Sequence, residues 1–245
     1  MVIQRRSLIC FLLFGLSAVS LLCAANSDEL PPPQFRLLMM SNGNAFKYDT
    51  GDAIETIFAS SGQFTPLYQA PENRKLEFFH EAPASEDMEA PRVKVRLAEA
   101  LLPDGAGPFL VLLKAAPAGS SLKYQTVIID SSLESHPPQT YRTFNLSKRL
   151  LAVHLAGHKM LLKSGDSEIS DYTKDKKAWI QVAIDHKDNG WVVVQSKSRS
   201  FDRDSRTTVF LLDIPASPRD PNPEGIKVFQ VEEKIFEDDD GFHLQ

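Results

Sequence analysis

Short apolar runs recur along the chain, separated by Gly, Pro, Asn and Ser, and this spacing predicts strands rather than helices. Phe35–Met40, Phe109–Leu113 and Thr126–Ile129 are the runs of the first part; Tyr141–Leu146, Leu150–Leu155, Ala178–Ile184, Trp191–Val194 and Thr207–Leu212 are those of the second. Helical periodicity shows only over Val95–Leu102, and briefly. Many short strands broken by turn residues predict a mostly β fold of small sandwiches or barrels. Proline marks the joints, at Pro31–Pro33, at Pro137-Pro138 and between Pro215 and Pro223, because it cannot donate into a strand ladder. The expected organisation is two tandem small β-sandwich-like domains, at 34–134 and 139–214, followed by a Pro-rich linker and acidic tail at 215–245.

The two blocks also look alike. Phe35–Ser41 and Tyr141–Ser147 both read aromatic-Arg-x-apolar-x-apolar-Ser, and Asn73-Arg74-Lys75-Leu76 resembles Asp175-Lys176-Lys177-Ala178. Phe109–Leu112 can be laid on Trp191–Val194, and Val127–Asp130 on Phe210–Asp213. On that alignment the one unequal interval falls on the Pro-, Ala- and Glu-rich stretch 81–108, which reads as an insertion in the first of two duplicated units.

Two hairpins carry the candidate sites. Asp188-Asn189-Gly190, taken as a three-residue turn closed by a left-handed glycine, sets Lys187 opposite Trp191, Ile184 opposite Val194, Val182 opposite Ser196 and Ile180 opposite Ser198. That register buries Ile180, Val182, Ile184, Val192 and Val194. It places Trp179, Gln181, Trp191, Val193, Gln195, Lys197 and Arg199 on the other face, with Trp179 opposite Arg199. Trp179, Trp191, Arg199 and Gln181 are therefore candidate binding residues for a glycan or a protein partner. The plainer expectation is that this face packs against the first block, or that Arg199 simply lies over Trp179. In the second hairpin, a Leu155-Ala156-Gly157 loop makes His154 and His158 cross-strand neighbours able to share a metal, whereas a two-residue Ala156-Gly157 turn sends them to opposite faces. His136, His186, Asp166 and Glu168 qualify as further ligands by residue type only.

The first 25 residues change the compartment. Arg5 and Arg6 precede the apolar stretch Leu8–Leu22, which is shorter than a membrane-spanning helix, and Ala24-Ala25 offers small residues for cleavage. A signal peptide and export to a periplasm or the exterior are expected, with no transmembrane segment after cleavage. Gln4–Ile9 resembles a twin-arginine signal, and Cys23 follows an apolar run as a lipidated cysteine would, although Leu22 is larger than the usual preceding residue. Both cysteines, Cys10 and Cys23, lie in the leader, so the mature chain has no disulfide or thiol chemistry. Loss of Arg5 and Arg6 takes the net charge from −5 to −7, which argues against nucleic acid as a partner.

No serine-hydrolase elbow, zinc helix, phosphate loop or dinucleotide fingerprint occurs, and no cofactor is implied. Asp238–Asp240 lacks the ordered spacing of a calcium loop and reads as a solvated end. Asn145-Leu146-Ser147 is formally a glycosylation acceptor inside a predicted strand. The expected function is that of an exported, non-enzymatic binding or structural protein, with two alternatives: a carbohydrate-binding or adhesive module using the aromatic face, or an extracytoplasmic enzyme without a readable motif.

Overall fold

The computed structural model describes residues 32–244 apart from Met88, Ala106, Asp175, Lys176, Lys187, Pro221, Asn222, Asp239 and Asp240. Residues 1–31, on which the expected signal peptide with Cys10 and Cys23 falls, lie outside the described residues, as do Lys187 and part of the Asp175–Ala178 segment. Among the described residues every regular element is a strand. The first half holds β1 (Gln34–Met39), β2 (Asn44–Asp49), β3 (Ile54–Ala59), β4 (Tyr68–Gln69), β5 (Lys75–Pro83), β6 (Arg92–Leu101), β7 (Phe109–Ala115) and β8 (Tyr124–Asp130). The second holds β9 (Thr140–Asn145), β10 (Leu151–Leu155), β11 (His158–Leu162), β12 (Ser167–Asp171), β13 (Lys177–His186), β14 (Gly190–Ser200), β15 (Ser205–Asp213), β16 (Ile226–Asp238) and β17 (Gly241–Leu244).

The strands form four sheets, ordered β4-β1-β7-β8, β3-β2-β5-β6, β12-β9-β15-β16-β17 and β11-β10-β13-β14. The first and third sheets each contain one parallel pair, β1 with β7 and β9 with β15. The two sheets of the first half enclose one core, including Phe35, Leu37, Phe46, Phe78 and Val111. Those of the second enclose another, including Leu151, Val153, Ile180, Val182 and Val209.

A third apolar cluster joins the halves. Leu38, Leu110, Leu112 and Ile129 meet Phe144, Phe210 and Val231. Thus β1, β7, β9 and β15 are covered on both faces, one by their own sandwich core and one by the opposite half. Two-sided burial explains the apolar runs Leu37–Met39 in β1, Phe109–Leu113 in β7 and Val209–Leu212 in β15, while β13, with one buried face, alternates.

Several details differ from the sequence reading. Val95–Leu102 falls largely in strand β6, where a register shift leaves Leu97 between Ala98, opposite Phe78, and Arg96, opposite Phe79. The extra residue flips the alternation and imitates helical spacing. The supposed tail is largely strand: β16 pairs along the whole of β15, and the alternating apolar positions Val231 and Ile235 are buried between its acidic residues. The last two alignment anchors are displaced by one strand. Phe109 pairs with Phe35 and Thr207 pairs with Tyr141, so β7 occupies the place of β15, not of β14. Stretch 81–108 is then no insertion, for it holds the end of β5 and all of β6, the counterparts of β13 and β14.

Candidate functional site

The outer face of the β11-β10-β13-β14 sheet is built by cross-strand rows. Leu161, Ala152, Ala183 and Val193 lie side by side across all four strands, and Lys159, His154, Gln181 and Ser196 form the next row. Trp179 with Ser198 lies beyond the polar row, and Asp185 with Trp191 beyond the apolar one. Ala178, Ile180, Val182 and Ile184 point inward and anchor the sheet on its core, so the intervening Trp179 and Gln181 must point out.

Both tryptophans face solvent, Trp179 at 60% and Trp191 at 47% exposure. The expectation that this face packs against the first block is overturned, because the halves meet through the other sheet of each sandwich. Trp191 sits opposite Asp185, six residues from Trp179, so the indoles stand about 20 Å apart along the strand direction. The Gln181–Ser196 and Ala183–Val193 rows lie between them, and Gln181 Nε2 comes within 3.5 Å of Ser196 Oγ.

The register itself is corrected. Ile184 pairs with Val192, Val182 with Gln195, Ile180 with Lys197 and Trp179 with Ser198. His186 faces Gly190 across residues 187–189, and a bulge leaves Val194 without a partner. The bulge carries Gln195, Lys197 and Arg199 to the inward-facing rows, and Val192 remains exposed. Arg199 pairs with Ala178 and lies on the face opposite Trp179, so it leaves the candidate set.

His154 and His158 do not meet. Ala156 and Gly157 form a two-residue turn, both at positive φ, and Leu155 pairs with His158 while His154 pairs with Lys159. The imidazoles therefore point to opposite faces. Among the described residues no group of three or more His, Cys, Asp or Glu side chains could hold a metal. His136 is buried, Asp166 caps the backbone N–H of Lys163, and His186 Nε2 is 3.6 Å from Glu224. The Asn145 amide is fully buried and donates to the carbonyls of Arg149 and Leu162, which removes this acceptor from the surface of the folded chain.

A buried ionic cluster between the halves escaped the sequence reading. Arg36 and Arg206, each 1% exposed, both donate to the Glu233 carboxylate. Ser131 Oγ accepts from Arg36 at 2.6 Å, and Arg206 reaches the carbonyls of Ser131 and His136 at 2.8 and 2.6 Å. Burial and the Arg206 charge push Arg36 down to about 9 and His136 down to about 3. Arg36 also lies over the Phe64 ring. Ser131 is held by two guanidinium groups, which lend it no general base, and the cluster reads as a clamp rather than as a nucleophilic centre.

No helix among the described residues is long and apolar enough to cross a membrane. No protein-family model matches the sequence, and no curated protein matches it significantly.

Proposed function

We propose that this is an exported, non-enzymatic binding protein whose ligand lies on the outer face of the β11-β10-β13-β14 sheet. The observation that carries this reading is the exposure of both tryptophans on one side of a single sheet. Its counterpart, the β3-β2-β5-β6 sheet, also exposes one aromatic, Phe58 at 77%, but sets it on a face crossed by ion pairs, the half-buried Lys47–Glu81 at 2.9 Å and Arg96 with Glu77 and Glu99 at 3.7 and 3.2 Å. A charge-laced face is at home in water, whereas a face with large exposed aromatics and an apolar row is characteristic of a surface that meets a partner.

Two flat indoles separated by hydroxyl and amide groups favour a neutral glycan chain, whose sugar rings stack on aromatics while its hydroxyls find polar partners. Trp179 and Trp191 are the only tryptophans, so emission reports on this face alone. Soluble polysaccharides should shift the emission, and Trp179→Ala and Trp191→Ala should each weaken binding. No shift with any glycan, together with capture of a protein ligand that both substitutions abolish, would move the reading to a protein partner; no effect of either substitution on any ligand would end it.

Export through a cleaved leader rests on residues 1–25, and the mass of the secreted chain tests it, with cleavage after Ala25 expected. The matching strand order supports reading the halves as copies of one ancestral sandwich.

A further inference from the structure

We infer that the free edge of β14 receives a second copy of this chain, antiparallel, so that two β11-β10-β13-β14 sheets become one continuous sheet. β14 is the last strand of its sheet, and among the described residues no strand pairs with its outer edge, which β16 approaches without pairing. Trp191, Val192 and Val193 are exposed in succession, at 47, 38 and 56%, and the strand carries no charge before Lys197. Soluble proteins blunt such an edge with charge or cover it, because an unpaired apolar ladder recruits another strand.

The same chain supplies the comparison. β6 holds the equivalent edge position in the first half and carries Arg92, Lys94 and Arg96 along it, and its Glu99 carbonyl accepts a hydrogen bond from Thr126 Oγ1 at 2.8 Å. The Trp191–Val194 stretch of β14 has no such charges.

The occupant follows from how charge is laid out. At the turn end of the β13–β14 hairpin Asp185 and Asp188 outnumber Lys187, and Lys197 and Arg199 lie toward its open end. An identical strand running antiparallel sets the acidic end of each copy near the basic end of the other, at both ends at once. A parallel copy would set like against like. Closed two-fold pairing of this kind is self-limiting. The bulge at Val194 divides the edge near its middle, so the run before it in one copy meets the run after it in the other.

Sedimentation of the purified protein tests this. The unaltered chain should sediment as a dimer at micromolar concentration, Val193→Lys as a monomer, and Val95→Lys on β6 as a dimer. A monomeric unaltered chain, or a Val193→Lys dimer, overturns the inference. Should Val193→Lys fail to fold, amide exchange over 191–199 of the unaltered chain decides: it should slow on raising concentration, and concentration-independent exchange overturns the inference. The inference stands apart from the glycan reading, since sedimentation of the ligand-free chain reads the dimer and tryptophan emission of the unaltered chain reads the ligand.

Discussion

Glu233 is one carboxylate shared by two buried guanidinium groups, and its removal would leave both charges buried without their counter-ion. Breaking a buried ion pair from one side costs about 3–5 kcal/mol. Glu233→Gln should therefore lower the unfolding free energy by that order, seen as a lower urea midpoint at an unchanged slope. His136 adds a pH term of known sign. Burial first, and then the Arg206 charge, lower its pKa from 6.5 to about 3, so between those values the unfolded chain binds a proton that the folded chain refuses. Stability consequently falls as pH drops through that window. In His136→Asn that component disappears, and stability measured by urea denaturation at stepped pH should fall less steeply. None of this was legible in the sequence. Arg36 stands in an apolar run and invites a partner, but Glu233 lies 197 positions away in a segment whose prolines and acids suggest a solvated tail.

At the scale of elements, apolar runs and alternation located β1, β7 to β10 and β13 to β15, with the inward residues Ile180, Val182 and Ile184, and gave no strand at β2 to β6, β11, β12, β16 or β17. Alternation failed where a bulge adds a residue, at Leu97 and Val194, because a period of two cannot signal its own interruption. Turn length was similarly undetermined in the Ala156-Gly157 hairpin, where Ala156 takes a positive φ that composition gives no reason to expect. The glycine that enters β7 is constrained twice. Gly107 has φ +77°, and a Cβ there would lie 2.9 Å from the Gln34 carbonyl oxygen and 3.0 Å from the Phe109 ring. Gly107→Ala should destabilise by roughly 1–3 kcal/mol, seen as a lower thermal midpoint with native circular dichroism below it.

At the scale of the molecule, the apolar runs announced strands without revealing that two of them in each half are covered twice. Leu38, Leu112, Phe144 and Phe210 bind one half to the other, and that contact frees the opposite sheet of the second half to face solvent. The candidate face was thus readable as a list of residues, while its exposure depended on which sheets the halves chose to bring together. Collisional quenching of tryptophan emission by acrylamide, in the dilute ligand-free protein, tests this most directly. With Trp179 and Trp191 at the surface, emission should lie at the long wavelength of hydrated indole and be quenched nearly as completely as in the unfolded chain. Short-wavelength emission protected from quencher would place both rings in the interior and leave the chain without the binding face described above.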